Sequence, residues 1–215
     1  MQTFAIRKAA VSLFLLLLIV AMAAACPAYA RASGEIADFR EGDVIFQTSV
    51  SPQSQAIQLA THSLYSHCGV IFRIGKAFYV YEAVRTVRFT PLRAWIARGK
   101  EGRYVVRRLK DADRLLTPAA IGKLRSEGKK FEGKPYDLVF SWSDDRIYCS
   151  ELIYKLFRRA LGLETGKIQR LRDFDLKHPA VRQKLQERYG DRIPLDERVV
   201  SPQAIFESDL FVTVD

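Results

Sequence analysis

The stretch from His67 to Val84 constrains this chain more than any other. HCGVIFRI (His67–Ile74) and AFYVYEAV (Ala77–Val84) are rich in β-branched and aromatic residues, and only Gly75-Lys76 separates them. Two such runs across so short a link read as a β-hairpin. If Gly75-Lys76 is a two-residue turn, Gly69 lies opposite Glu82 and His67 opposite Val84, whereas a three-residue turn would change that parity. His67 and Glu82 then become diagonal neighbours on one face, roughly 7–8 Å apart at the backbone and within reach of long side chains. Cys68 points to the other face, as a core thiol rather than a partner for Cys149. Gly69, with no side chain, leaves room for a helix start or a substrate to approach the sheet.

Elements of both kinds surround the hairpin. DVIFQ (Asp43–Gln47) reads as a short strand, and further strands are expected at Val87–Thr90 and Tyr104–Arg107. Ser51-Pro52 and Thr117-Pro118 each open a helix, because a hydroxyl can cap the free amides and proline is tolerated at the first helical position. The second of these helices runs to about Phe131, and a short one is expected at Leu92–Ala97. Cys149–Leu161 is amphipathic: Cys149, Leu152, Ile153, Leu156, Phe157 and Ala160 share one face. Helical stretches near Pro179–Tyr189 and Pro202–Phe206 lie in the C-terminal third, the least defined part. Strands grouped together and flanked by helices indicate an α+β domain.

The chemistry available is narrow. The chain has three cysteines and three histidines. Cys149 begins a helix, where the N-terminal partial charge favours a thiolate and backbone amides can meet an oxyanion. It could equally be a small buried residue on that helix's apolar face. His178 precedes a proline at a helix opening, and His62 follows a helix end; both have structural explanations. His67 begins a strand in an apolar region and is the candidate base, with Glu82 to orient it. No Cys-x-x-Cys or His-x-x-x-His spacing suggests a metal, and no cofactor is expected.

Gly133-Lys134-Pro135-Tyr136 followed by Tyr148-Cys149-Ser150-Glu151-Leu152 resembles the motif pattern of NlpC-type papain-like cell-wall hydrolases. In the standard arrangement the cysteine helix precedes the histidine strand. Here Tyr65-Ser66-His67-Cys68-Gly69 comes first, as in the circularly permuted branch, the YiiX/YaeF/YebB-like amidases. Gly42–Phe46, Tyr81–Val84 and Phe140–Arg146 also look like that branch, so the likeness spans most of the chain. The resemblance implies a permuted papain-like fold, with a small antiparallel sheet or barrel packed against the nucleophile helix. It implies Cys149 as nucleophile, His67 as base and Glu82 as orienting residue. Tyr148, Tyr65 and Tyr136 are candidates for substrate contact or a second oxyanion donor, against the alternative of ordinary structural hydrogen bonds. Standard members have Asp before the cysteine and Gly two residues after it, where this chain has Tyr148 and Glu151.

The N-terminus carries its own signal. Arg7 and Lys8 precede an uncharged apolar run, Ala9–Ala25, and Ala28-Tyr29-Ala30 supplies small residues for a signal peptidase. Residues 1–30 are therefore expected to be a cleaved signal peptide, leaving 31–215 as one hydrolase domain without a transmembrane helix. Cys26 gives a weaker lipoprotein-like alternative. Export places the protein in the periplasm or cell envelope. There the 32 basic and 24 acidic residues left after Arg7 and Lys8 are removed, a net charge of +8, suit an anionic envelope surface or acidic substrates. Nothing resembles a nucleic-acid reader. Three functions fit. One is an amidase acting on a lipid-like, N-acylated or peptide substrate, a reading helped if Phe140, Trp142 and Tyr148 line a cleft rather than the core. The others are a peptidoglycan stem-peptide endopeptidase and a non-catalytic lipid- or peptide-binding envelope module.

Overall fold

The computed structural model describes residues 38–214, so the expected leader and Cys26 lie outside the described residues. In chain order the main elements are β1 (Val44–Gln47), α1 (Pro52–Thr61), β2 (His67–Ile74), β3 (Ala77–Ala83), β4 (Val87–Pro91), α2 (Leu92–Ala97) and β5 (Val105–Leu109). Then follow α3 (Ala112–Leu115), α4 (Pro118–Lys129), α5 (Cys149–Leu161), β6 (Gln169–Arg170), α6 (Pro179–Tyr189), β7 (Arg198–Val199), α7 (Pro202–Phe206) and β8 (Phe211–Val214). Four helices start on proline, and each preceding residue caps the free amides. Ser51, Thr117 and Ser201 accept through their hydroxyls, and His178 through its ring.

Six strands form one antiparallel sheet in the order β4-β3-β2-β1-β5-β8. The β2–β3 ladder sets Val70 against Tyr81 and Ile74 against Ala77, the register expected of a two-residue Gly75-Lys76 turn. Alternation divides the sheet into two apolar faces. Ile45, Ile71, Val80 and Val106 pack with Leu92 and Trp95 of α2 in a small core. Val44, Phe46, Cys68, Val70, Phe72 and Tyr81 join the larger core, to which α5 contributes Cys149, Leu152, Ile153, Leu156 and Phe157. Central strands covered on both sides explain why hydrophobic runs such as Val70–Phe72 show no polar alternation.

The structure extends the expected elements in four places. β5 begins and ends slightly later than Tyr104–Arg107. The short α3 and the β6–β7 ribbon lack a distinctive sequence pattern. β8, only four residues long, closes the sheet beside β5. Its Phe211 is buried and meets Phe157 edge-on at 6.2 Å between ring centroids, a contact invisible in a four-residue segment. Gly69 also has a different role from the one expected. A Cβ there would lie 2.9 Å from the Tyr81 carbonyl oxygen and would collide with Val80. The missing side chain admits the neighbouring strand, not a helix or substrate.

Candidate active site

The site forms where the N-terminus of α5 meets the start of β2. Tyr148 is the N-cap of α5 and Cys149 its first residue, so the Cys149 amide belongs to the turn that has no intrahelical partner. Glu151 reaches back to the Tyr148 amide at 3.4 Å. At the other end, Gly162 closes the helix with φ 73°, a left-handed conformation that glycine adopts without steric cost. Behind the helix start, buried Lys155 binds Asp144 at 2.9 Å, and Arg159 binds the same carboxylate. These contacts tie the segment before Cys149 to the helix. Burial pushes the Glu151 carboxyl up to about 8 despite its contact with Lys155.

His67, Glu82 and Cys149 converge. His67 Nε2 lies 2.6 Å from Glu82 Oε2. That leaves Nδ1 for Cys149, whose neighbouring thiol favours a charge on the ring. Glu82 is fully buried and accepts from three further groups: Thr90 Oγ1 at 2.6 Å, Trp95 Nε1 at 2.9 Å and Arg98 Nη2 at 2.5 Å. Burial alone would raise its pKa, but hydrogen bonds from His67 and Thr90 and the charges of His67 and Arg98 prevail, bringing it to about 2. The Trp95 ring also stacks on His67 at 5.9 Å. Thr90, Trp95 and Arg98 come from β4 and α2 and its end. No sequence pattern marked them, because only the packing of α2 on the sheet brings them to Glu82.

Charge separation follows from this arrangement. Burial opposes a charge on His67, but contacts with Cys149 and Glu82 outweigh it and raise its pKa to about 9. The Cys149 thiol is held well below its ordinary value, by Cys68 first and then by His67, against the opposing effect of burial. Both shifts favour the thiolate–imidazolium pair over the neutral one.

The expectation for Cys68, a buried core thiol not bonded to Cys149, is met. Strand alternation does turn it away from the face of Ile71 and Val80, and it is fully buried with a free thiol. α5 packs on that same face, so Cys68 and Cys149 belong to one buried cluster.

The three tyrosines separate. Tyr136 OH accepts from Gln53 Nε2 at 3.1 Å, leaving its own hydrogen free to donate, and it stands in the wall beside Cys149. Tyr148 OH accepts from the Val200 amide at 3.1 Å and is buried. Tyr65 packs on Phe206 and Phe46 and lines neither cavity at the site. Of the aromatic residues before the nucleophile, Phe140 and Tyr148 line a cavity, whereas Trp142 packs on Tyr154. Phe140 has φ 50°, a costly conformation for a bulky residue, and sits edge-on to Tyr148 with Arg188 over its ring. The other histidines have structural contacts: His62 meets Asp175 at 3.3 Å, and His178 Nδ1 accepts from the Ala180 amide at 3.1 Å.

Two cavities meet at this point, sharing a wall of Gln53, Ile57 and Tyr136. The first, about 80 Å³, reaches Cys149 and is strongly apolar, with Phe174, Val181, Leu185 and Val199 in its lining together with Lys184 and Arg188. The second, about 390 Å³ and open to solvent, reaches His67 and carries Ser49, Ser51, Ser66 and Arg85.

A thiol at a helix N-terminus, facing a strand-borne imidazole held by a carboxylate on the next strand, defines the papain-like class of cysteine hydrolase folds. The order in the chain is histidine strand before cysteine helix. Residues 38–214 match the model of the permuted papain-like amidase family, YaeF/YiiX, C92, and the chain belongs to that family. It is 49% identical over 198 residues to uncharacterized protein YiiX of Escherichia coli strain K12, covering 92% of this chain and 94% of that one. A crystal structure of YiiX from Escherichia coli O157:H7 superposes with a TM-score of 0.79 at 52% identity, covering 82% of this chain and 96% of the other. That structure is titled a metalloprotein. Among the described residues here, no group of three or more His, Cys, Asp or Glu side chains is arranged to hold a metal ion.

Proposed function

We propose that the protein is an exported cysteine amidase that cleaves the amide bond of an N-acylated substrate through a thioester. The apolar cavity ending at Cys149 is the observation that carries this reading. In acyl transfer the nucleophile keeps the acyl group and the acid delivers its proton to the leaving group. The apolar chamber on the cysteine side therefore suits an acyl chain. The polar chamber on the histidine side suits the departing amine.

The Cys149 thiolate attacks the amide carbonyl, forming the C–S bond. The oxyanion is met by the Cys149 amide and the Tyr136 hydroxyl. Imidazolium His67 protonates the amine as the C–N bond breaks, leaving a thioester. Neutral His67 then takes a proton from water, whose oxygen attacks the thioester. The acid leaves, and the thiolate and imidazolium are restored. Glu82 keeps the ring oriented and its charge compensated throughout.

Mass analysis of products from N-decanoyl amino acids and from purified peptidoglycan tests the substrate, comparing wild type with Cys149→Ala. Release of decanoate by wild type only is expected. Cleavage of stem peptides without decanoate release would instead establish the endopeptidase. Iodoacetamide labelling separates both from a binding module, in which Cys149 would react like an ordinary thiol. Export rests on residues 1–30, where the basic pair, the apolar run and Ala28-Tyr29-Ala30 favour cleavage after Ala30. N-terminal sequencing of protein recovered from the periplasm should begin at Arg31. A lipidated terminus at Cys26 would overturn that site.

A further inference from the structure

Glu82 orients His67, yet it is fully buried and depends on neighbouring donors to carry its charge. Among the described residues four side chains reach it, and they divide between its two oxygens. Oε2 takes the His67 ring at 2.6 Å and the Trp95 indole at 2.9 Å. Oε1 takes the Thr90 hydroxyl at 2.6 Å and the Arg98 guanidinium at 2.5 Å. Trp95 and Arg98 stand one turn apart at the end of α2, which packs over β3 and β4. Of these donors only His67 and Arg98 carry a charge, and they differ in one respect. His67 gives up and regains a proton during acyl transfer, whereas Arg98 stays a cation at every working pH.

We propose that Arg98 is a positioning residue for the second half of the reaction, its guanidinium holding Glu82 as a carboxylate while His67 is neutral. This rests on the reading of Cys149 as a nucleophile that forms a thioester. In the charged form of the pair, thiolate Cys149 and carboxylate Glu82 are matched by imidazolium His67 and Arg98. As the C–N bond breaks, the imidazolium proton passes to the amine and the sulfur becomes a neutral thioester. One charge of each sign is lost, and Glu82 then has Arg98 as its only cation. Neutral His67 must next take a proton from the attacking water. A buried carboxylate without a cation would hold a proton on the imidazole, leaving no lone pair to accept one from water. Arg98 weakens that hold.

The other charged groups nearby do not serve. Arg88 on β4 is the cross-strand partner of Glu82, but its side chain is exposed. Arg93 of α2 and Lys100 beyond it are exposed as well, and Arg103 pairs with Glu101 at 2.6 Å. Of the two thiols packed against β2 and β3, burial keeps Cys68 protonated and Cys149 is the acylated atom. The Arg98 side chain is 37% exposed, so solvent screens part of its charge. An arginine at a helix C-terminus also complements the dipole, and the test must separate that structural role from the one proposed.

The probe is p-nitrophenyl decanoate, whose leaving group needs no proton, so that only the water step calls on His67. Turnover is followed against pH in wild type, Arg98→Lys, Arg98→Met, Arg98→Gln and Cys149→Ala, with intact mass after acid quench to read the decanoyl-enzyme. Arg98→Lys keeps the charge and should keep the wild-type profile. Arg98→Met and Arg98→Gln should move the acid limb of turnover upward by about one pH unit. Decanoyl-enzyme should accumulate in both below that limb and disappear as pH rises. Loss of turnover by the same factor at every pH, with no added decanoyl-enzyme, would leave Arg98 a helix-end residue and overturn the inference. If wild type forms no decanoyl-enzyme that Cys149→Ala abolishes, the thioester reading fails first and this inference goes with it. Two charge-free variants keep the comparison decisive if either folds poorly.

Discussion

The imidazole of His67 connects three levels of acidity. A carboxylate near 2, an imidazolium near 9 and a depressed thiol all favour the charged pair. The rate should follow a bell: an acid limb where Cys149 gains its proton, below the range of an ordinary thiol, and an alkaline limb near 9 where His67 loses its proton. Glu82→Gln removes the charge that supports the imidazolium. The alkaline limb should then move to lower pH, and kcat/KM should fall by roughly 10²–10⁴-fold. An unchanged alkaline limb would place its origin elsewhere. For stability the sign is set by the same carboxylate. Its folded pKa, about 2, lies below the ordinary 4.5, so its contribution is present above pH 4.5 and is lost as pH falls towards 2.

At the scale of elements, the start of α5 and the β2–β3 pair make opposite demands. Glu151 is a buried carboxyl whose folded pKa, about 8, lies above the ordinary 4.5. Its contribution is fully present below pH 4.5 and is lost as pH rises towards 8. The Glu151→Gln protein should therefore gain stability relative to wild type as pH rises from 5 to 8, read as a difference in thermal midpoint. A difference that stays constant across that range would mean Glu151 is ionised throughout. The β2–β3 pair depends on Gly69. Gly69→Ala forces a methyl against Val80 and the Tyr81 carbonyl, and backbone cannot yield as a flexible side chain can. The expected cost is about 1–3 kcal/mol, measurable by urea denaturation. The displaced Glu82 should also weaken the alkylation of Cys149.

The whole molecule places an apolar chamber on one side of the Cys149–His67 pair and a polar one on the other. The former is built from α1, α6 and the segments around α5, which are distant in sequence. Val181→Trp, introduced from α6, should obstruct it. The expected outcome is a rise of roughly tenfold or more in KM for decanoyl amides, because each lost buried methylene contributes about 0.8 kcal/mol. Acetyl amides of the same amine should be unaffected. Equal losses with both chain lengths would remove this cavity from acyl recognition. The basic residues Lys184 and Arg188 also line it, where they suit an anionic group.

Much of this was legible in the residues themselves. Hairpin register, helix caps on proline and the amphipathic Cys149 helix are local or nearly local effects, so 3.6- and 2-residue periodicity sufficed to find them. Motif order showed the permutation, and the hairpin placed Glu82 diagonal to His67. Contacts between distant segments were beyond such reasoning. The sequence could turn Cys68 away from the His67 face, but only the packing of α5 determined that this other face holds Cys149. Likewise, Trp95, Thr90 and Arg98 reach Glu82 because α2 folds over the sheet. β8 is a strand because β5 offers an unpaired edge and Phe157 covers Phe211. Periodicity determined which way each side chain points along its own element. What it meets there depends on how the elements pack, and that was settled by tertiary structure.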